Sequence, residues 1–304
     1  IPVKQILKQL QIAFRLLVKN DPMRLAGATA FFTTFALPPI LIILIQLLSL
    51  VFNERTISRQ LFEHLGDIIG RDSVMQLIRT LRAFRGLADT LPLTIGGFIF
   101  LLFVATTLFK VIQSSINQIW MIRRTGVNKF RMAYRNRIKS TLAIIFAGVL
   151  FIMTLFAESL KLFFGKYIHE VLPGTGFLFY GALSAIISIL IISFWFMALF
   201  RYLPDGKPTW KVAFMGGLIT SILFHFGKYI LGWLLPGSNI GAVYGASASI
   251  VLLLLFVFYS SLIFYFGAAF TKVWSEHISQ PIIPIHNALA YNYTDNDQII
   301  NPPV

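Results

Sequence analysis

The chain has 304 residues, of which 57% are apolar, only 12% are charged and none is cysteine. Ordinary soluble domains carry about 25% charged residues, so this composition excludes a soluble enzyme and indicates a polytopic membrane protein. The missing thiols exclude disulfides, thiolate metal sites and cysteine nucleophiles. The formal net charge of +14 favours an anionic partner, which in a membrane is most simply lipid head groups.

The chain contains six apolar segments, each long enough to cross ~30 Å of hydrocarbon as a helix, which takes about 20 residues. They are residues 25–52, 92–116, 138–164, 176–200, 210–235 and 243–272. The predicted fold is therefore an all-α membrane domain of six transmembrane helices over residues 25–275. The first span follows a basic segment and is too long to be a cleavable signal peptide.

Lysine and arginine collect in the N-terminal segment and in the loops after spans 2 and 4. Because such residues favour the cytoplasmic side in short loops, both termini are predicted to be cytoplasmic. The loop after span 2, "MIRRTGVNKFRMAYRNRIK", contains no acidic residue and adjoins the membrane. Anionic lipid of the inner leaflet explains its charge better than nucleic acid does.

Two amphipathic regions flank the first span. Residues 1–24 place apolar side chains at helical intervals among basic ones, which suits an interfacial helix on anionic lipid or a solvated helix packed on the loops. Residues 53–91 are predicted to form two amphipathic helices over the outer mouth of the bundle. The second helix carries Arg79, Arg82 and Arg85 on one face. These arginines form either a solvated face or a contact with lipid phosphates.

The first span contains two consecutive prolines in "FALPPILIILIQ". Pro38 and Pro39 lack amide hydrogens, so backbone carbonyls about one turn earlier lose their partners. The hydroxyls of Thr33 and Thr34 are candidates to satisfy the backbone there. The proline pair is interpreted as the hinge of a broken helix or, alternatively, as a static kink.

A polar stripe ends the second span. Lys110, Gln113 and Asn117 follow one another at helical spacing and lead towards Arg123. The stripe is interpreted as part of a polar route that receives an anionic head group on the cytoplasmic side. Alternatively, the amides hydrogen-bond neighbouring helices for ~0.6 kcal/mol each, and Lys110 reaches the cytoplasmic phosphates.

Four ionisable residues lie in the outer third of spans 3 and 5. They are Glu158, Lys161, His225 and Lys228, and each pair has a spacing of three residues, so its members share a helix face. A charge near the bilayer centre costs roughly 2.5–3.5 kcal/mol unless it is paired or faces a cavity. We expect Glu158 to compensate Lys228 or Lys161 in a polar cavity open to the periplasm. The alternative is snorkelling of the lysines together with structural pairing.

The apolar pattern ends after residue 275, and residues 276–304 are predicted to form a flexible or loosely docked cytoplasmic tail. The sequence contains no Walker-type phosphate loop, and its five histidines show no HExxH motif or paired metal spacing. We therefore expect no ATPase engine, no metal, no cofactor and no enzymatic activity.

Several segments resemble the YihY/BrkB family of bacterial inner-membrane proteins over residues 20–275. They are "AGATAFFTTFALPPILIIL", "SSINQIWMIRR", "RYLPDGKPTWKVAFMGGLITSILFHFGKYIL" and "YGASASIVLLLLFVFYSSLIFYFGAAFTKVW". The resemblance implies a multi-pass protein of the bacterial inner membrane and a link to lipopolysaccharide or lipid export. It also brings a ribonuclease BN label. The residues do not support that label, since no cytoplasmic loop offers the clustered carboxylates of a two-metal nuclease.

The predicted function is that of a transporter or flippase-like protein for an anionic lipid or a lipid-linked glycan, not driven by ATP. The residues expected to attract the head group are Lys228, His225, Lys161, Arg79, Arg82 and Arg85 on the periplasmic side, and Lys110, Asn117 and Arg123 on the cytoplasmic side. Glu158 and His225 are the candidate proton carriers. The alternative is an ion-coupled small-solute or cation/proton antiporter with Glu158 and Lys228 as its coupling pair, ahead of a membrane-anchored ribonuclease or an envelope scaffold. The expected partners are membrane phospholipids or other anionic lipids and no nucleic acid, and homo-oligomerisation is left open.

Overall fold

The computed structural model describes residues 3–49, 53–69, 91–124, 176–234, 248–285, 288–293 and 299–300, with scattered helical residues at 74–75, 77–79, 81, 149, 152 and 244. The helices are α1 Val3–Lys19, α2 Pro22–Ser49, α3 Glu54–Ile69, α4 Leu91–Ile119, α5 Gly176–Tyr202, α6 Trp210–Leu234 and α7 Ala248–His277. The short strands are β1 Ile122–Arg124, β2 Gly206–Lys207, β3 Ile283–Pro284, β4 Ala288–Ala290, β5 Asn292–Tyr293 and β6 Ile299–Ile300.

The described chain is mostly helical, as predicted. Three helical stretches within it are long and apolar enough to cross a membrane: Ala185–Tyr202, Trp210–Ile230 and Ile250–His277. They overlap predicted spans 4, 5 and 6, and α2 and α4 occupy the places predicted for spans 1 and 2. Predicted span 3 lies outside the described residues apart from two positions, so the count of six spans stays a prediction.

Helix α7 is the centre of the described bundle, because it packs against α1, α2, α4 and α6. Helices α5 and α6 form a hairpin whose members pack along each other. The main core lies where these helices meet and contains the fully buried side chains of Trp120, Phe200, Tyr265 and Phe270. The rings of Phe200 and Phe264 stack at 5.2 Å between centroids and so join α5 to α7.

Helices α6 and α7 cross at a reciprocal pair of glycine and threonine. A Cβ built on Gly216 would collide with Thr271, and one built on Gly267 would collide with Thr220. Each threonine hydroxyl donates to the carbonyl four residues before it on its own helix, Thr220 at 2.6 Å and Thr271 at 2.7 Å. The hydroxyls are thus satisfied without water, and the small glycines let the two backbones approach, as is common between membrane helices.

Helix α2 runs through Pro38–Pro39 as one helix. Thr33 and Thr34 donate their hydroxyl hydrogens to the carbonyls of Thr29 at 2.7 Å and Ala30 at 2.9 Å. The prolines cannot donate to the carbonyls four residues before themselves, and the threonines bond carbonyls one turn earlier than those. The threonines therefore do not replace the lost proline bonds as expected, and the hinge role of the proline pair stays a prediction.

The segments predicted to be cytoplasmic meet at one end of the bundle, here called the basic-loop end. Strand β1 pairs with β4 in antiparallel register, and β2 pairs with β3. These pairs place the residues after α7 on the loops that follow α4 and α5. The main core cluster extends to this end and includes Ala13 and Leu17 of α1.

The first part of the tail is docked on the loops, in agreement with the docked alternative of the prediction and not with the flexible one. The amide of Ile285 donates to the carbonyl of Asp205 at 2.9 Å, and the amide of Tyr291 donates to the carbonyl of Met121 at 2.9 Å. Ile282 is also buried at 6% exposure. The tail docks because its apolar side chains fill the gap between the loops while its backbone completes two small sheets.

Candidate functional site

Asp205 is a buried carboxylate at the basic-loop end, with only 1% of its surface exposed. The side-chain amide of Gln113 donates to its Oδ1 at 3.1 Å, and that of Asn117 donates to its Oδ2 at 2.7 Å. The Asp205 backbone amide in turn donates to Asn117 Oδ1 at 2.9 Å. These bonds compensate the loss of water around a charged group, which would otherwise be costly.

The local sequence explains why these groups meet. Gln113 and Asn117 are four residues apart on α4 and therefore share a helix face. Asp205 stands in the turn between α5 and α6, directly before Gly206. A Cβ on Gly206 would lie 2.6 Å from Ile282 and 3.0 Å from Trp120, so only glycine lets the turn approach this closely.

The polar stripe predicted along α4 is divided by this contact. Its amides face Asp205, which matches the alternative of hydrogen bonds between neighbouring elements. Lys110 and Arg123 are exposed instead. Asn117 is half-buried, and its side-chain amide is hydrogen-bonded to Asp205. Its role towards a head group stays a prediction.

His225 and Lys228 lie on α6, well away from the basic-loop end. The Nδ1 atom of His225 is 2.9 Å from the carbonyl of Ser221 on the same helix. Lys228 is exposed beside Phe226 and Tyr229, which are 64% and 73% exposed. Lys228 therefore lies on an open face of α6.

Their predicted partners on span 3, Glu158 and Lys161, lie outside the described residues. The pairing of Glu158 with Lys228 and the periplasmic cavity therefore stay predictions. On the outer segment, Arg79 is exposed, whereas Arg82 and Arg85 also lie outside the described residues. Over the part of the chain that is described, no group of three histidines or acids could hold a metal ion.

The predicted outer amphipathic helices pack on the half of α2 that lies away from the basic-loop end. Ile57 and Leu61 of α3 are buried in one cluster with Leu44 and Leu48 of α2. Leu77 and Leu81 of the second predicted helix belong to the same cluster. The apolar faces of both segments therefore contact α2, and the exposed Arg79 stands outside this contact.

Exposed cations cover the basic-loop end. They are Lys4, Lys8, Arg15, Lys19, Arg24, Arg123, Lys207 and Lys211, here called the basic surface. Asp21, which is exposed at the same end, lies 3.8 Å from the Arg24 guanidinium. Because Asp205 is buried, its charge faces inward, and the surface presented to solvent or lipid is strongly positive.

Two aromatic residues at the α5–α6 hairpin mark the same end. The rings of Tyr202 and Trp210 meet edge to face at 6.0 Å, although they are 61% and 51% exposed. The Arg201 guanidinium lies 5.2 Å from the centre of the Trp210 ring and also donates to the carbonyl of Pro208. Exposed aromatics at the ends of apolar helices are typical of the membrane–water interface.

Sequence reasoning missed Asp205 and this aromatic pair as members of a site. The signal for Asp205 was an acidic residue followed by glycine in a short turn between two apolar helices. The signal for the aromatic pair was a tyrosine and a tryptophan at facing ends of the same hairpin.

Comparison with known proteins gives the family. A family model described as virulence factor BrkB matches residues 13–283. The chain belongs to the BrkB family. This confirms the predicted resemblance, and the matched region contains Asp205 and the α6–α7 crossing and ends at the start of the first tail strand.

The curated BrkB-family relatives are named UPF0761 membrane proteins. The chain is 28% identical over 272 residues to one from Pseudomonas paraeruginosa, which covers 85% of this chain and 62% of that protein. It is 29% identical over 250 residues to one from Pseudomonas aeruginosa, which covers 80% and 57%. It is 24% identical to one from Mannheimia succiniciproducens, with 89% and 92% coverage. The chain thus spans about three fifths of the length of the two Pseudomonas relatives. The relatives' names and the apolar helices both indicate a membrane location. No solved structure matches the chain.

Proposed function

We propose that this BrkB-family protein is a multi-pass protein of the bacterial inner membrane that transports or flips an anionic lipid or a lipid-linked glycan without ATP. The observation that carries the proposal is the basic surface, which gathers eight exposed cations at one end of an apolar helical bundle. Each lysine or arginine near an anionic membrane surface contributes about 1 kcal/mol of attraction. Such a surface concentrates anionic head groups beside the ends of the helices.

A second set of cations stands at the other end of the same helices. Lys211 and Lys228 are both exposed on α6, seventeen positions apart. That spacing corresponds to about 25 Å along a helix axis, close to the ~30 Å thickness of the hydrocarbon. One helix therefore carries a cation for the head groups of each leaflet, and Arg79 adds another on the outer segment.

The exposed side of α6 next to Lys211 is apolar along the length of the helix that leads to the level of Lys228, and Lys228 itself lies about 100° further round the helix. Ile222 and Phe226 are 45% and 64% exposed. Acyl chains can lie against this apolar side while a head group moves along and around α6 from Lys211 to Lys228. A cargo with an anionic head and lipid tails fits such a surface better than a small hydrated ion does.

Lipid movement in vesicles tests this proposal. The purified protein is reconstituted into vesicles of phosphatidylcholine and phosphatidylglycerol that contain a fluorescent phosphatidylglycerol, and dithionite bleaches the outer leaflet. With the protein present, we expect the bleached fraction to exceed one half and to grow with protein content, because inner-leaflet lipid reaches the outside. Lys228→Ala should reduce several-fold the amount of inner-leaflet lipid that becomes bleached at a given protein content, because the cation proposed to receive the head group on the outer side is lost.

The matched control is Arg59→Ala, which removes an exposed cation from α3 that the proposal does not use. Its flux should equal that of the wild type. Bleaching that stops at one half with wild-type protein would overturn the proposal. Equal flux in Lys228→Ala would overturn the role of Lys228.

An ion-coupled antiporter is the second candidate, and the observation that favours it is Asp205, an acidic residue buried inside the protein next to the ends of three apolar helices. This candidate expects proton-gradient-driven cation or solute flux in the same vesicles, no lipid movement, and loss of that flux in Asp205→Asn. Lipid movement without gradient-driven flux would reject it.

A further inference from the structure

We infer that α1 is a membrane-docking helix whose exposed face lies in the head-group region of the anionic leaflet at the basic-loop end. The inference concerns the same lipid chemistry as the proposed function and uses part of the same basic surface, to which it assigns membrane docking, a role separate from the movement of lipid across the bilayer. It is built on how the seventeen residues of α1 divide into three faces.

The first face holds α1 on the protein. Gln9, Ala13 and Leu17 are 7%, 0% and 5% exposed, and α1 packs against α7. Ala13 and Leu17 belong to the main core cluster together with Phe270 and Trp274 of α7. The position of α1 is therefore fixed by packing of this face on α7, and the other faces of α1 lie outside this contact.

The second face is an apolar stripe that the protein leaves uncovered. Leu7, Phe14 and Val18 are 59%, 58% and 52% exposed. On a helix with 3.6 residues per turn they fall within about 40° of one another, so they form one continuous strip. Large apolar side chains gathered in this way mark a surface that meets a partner or a membrane.

The third face is a basic stripe directly beside the apolar one. It consists of Lys4, Lys8, Arg15 and Lys19, all exposed and together within about 60° of the helix circumference. An apolar strip flanked by cations is the pattern of a helix that lies at a lipid interface, with its apolar side chains reaching the acyl boundary and its cations at the phosphates.

The helix that follows α1 also exposes large apolar side chains. They are Met23, Phe31 and Phe35 of α2, which are 66%, 54% and 53% exposed. Only two residues separate α1 from α2, so the apolar stripe of α1 is joined by a short connection to a second helix with exposed apolar side chains.

The charge of the basic stripe favours an anionic leaflet over a second copy of the chain as the partner of α1. A second copy of the chain seated on the apolar stripe would bring four cations of one α1 against four of the other, which disfavours that contact. An anionic leaflet supplies the opposite charge along the whole stripe. We therefore assign the exposed face of α1 to anionic lipid of the leaflet at the basic-loop end.

Site-specific spin labelling tests the assignment, because the chain has no cysteine and each introduced one is labelled alone. Leu7→Cys reports on the apolar stripe, and Gln5→Cys, which is exposed on another side of α1, is the matched control. The intact protein is placed in nanodiscs of phosphatidylglycerol or of phosphatidylcholine alone. In phosphatidylglycerol, we expect the ratio of collisions with oxygen to collisions with a water-soluble nickel complex to be several-fold higher at Leu7→Cys than at Gln5→Cys.

A charge variant completes the test. At Leu7→Cys, the collision ratio should be lower in phosphatidylcholine alone than in phosphatidylglycerol. Replacing Lys4, Lys8, Arg15 and Lys19 by glutamine should remove this difference between the two lipids, whereas Lys207→Gln with Lys211→Gln should retain it. Equal ratios at positions 5 and 7 in phosphatidylglycerol would overturn the inference, as would spin–spin broadening that shows two copies in contact at position 7. Loss of docking with normal lipid flux would leave the proposed function standing, and docking without flux would leave this inference standing.

Discussion

The carboxylate of Asp205 accepts hydrogen bonds from two side chains that α4 presents on one face. Its backbone carbonyl accepts a further bond from Ile285 of the tail. One residue thus connects the turn of the α5–α6 hairpin, the end of α4 and the docked tail. Since the residue is buried, these bonds are shielded from water and are stronger than they would be on the surface.

Asp205→Ala is expected to destabilise the protein. The substitution leaves the buried amide of Gln113 and the half-buried amide of Asn117 without their acceptor, and a buried polar group without a partner costs about 1–3 kcal/mol. The thermal unfolding midpoint in detergent should fall clearly. Lys207→Ala, two residues away and exposed, should leave the midpoint unchanged. A midpoint in Asp205→Ala equal to that of wild type would contradict the structural importance of this contact.

At the scale of the element, the packing of α6 on α7 depends on small residues at two positions. Gly216 and Gly267 each accommodate a threonine of the other helix, and Thr220 and Thr271 are fully buried. Between membrane helices there is little hydrophobic driving force, because lipid tails are as apolar as side chains. Close contact of backbones is therefore a main source of the attraction.

Gly267→Ala should weaken this crossing. Its new methyl group would collide with the Thr220 hydroxyl and force the helices apart, and overpacking of this kind costs about 1–3 kcal/mol. Thermal unfolding of the purified variant measures the loss. Thr220→Ala in the same chain should recover part of it, because the colliding oxygen is removed.

Gly27→Ala is the matched control for this crossing. A Cβ there meets nothing within 4 Å, so the added methyl group should be tolerated or slightly stabilising. If Gly27→Ala and Gly267→Ala lost equal stability, the effect would belong to glycine in helices generally and not to the crossing.

At the scale of the whole molecule, the basic-loop end is closed by a segment distant in sequence from the loops that it covers. The tail strands β3 and β4 pair with β2 and β1, and Thr209 donates its hydroxyl hydrogen to Gln280 Oε1 at 2.7 Å. The tail therefore helps to hold the basic surface in its arrangement.

Truncation of the tail tests its contribution. A chain ending at Ser279 loses both strand pairs and the buried Ile282, and we expect a loss of at least ~2 kcal/mol, since burying an isoleucine contributes about 1.5–3 kcal/mol. A chain ending at Tyr293 retains these contacts and should unfold close to the wild-type temperature. Equal midpoints for the two truncations would show that the docked tail adds nothing to stability.

Much of the fold was predictable from the sequence, because transfer of side chains into lipid is a property of each segment by itself. The places of α2, α4, α5, α6 and α7 therefore followed from apolar runs alone, and the family followed from the quoted motifs. The candidate site was less predictable. Lys228 and Arg123 were singled out as cations and are exposed, but Asn117 was assigned to a head group although its amide is bonded to Asp205, 88 positions away.

The sequence by itself determined the class of the protein, its helical elements and the collection of positive charge in certain loops, since hydropathy and charge add up locally. Only the tertiary structure decided which groups meet. It paired Asp205 with the amides of α4, set Thr220 against Gly267, docked the first part of the tail, and left the apolar stripe of α1 uncovered. The physical reason is that the partner of a polar group, and the face of a helix that is buried, depend on residues far along the chain that only packing brings together.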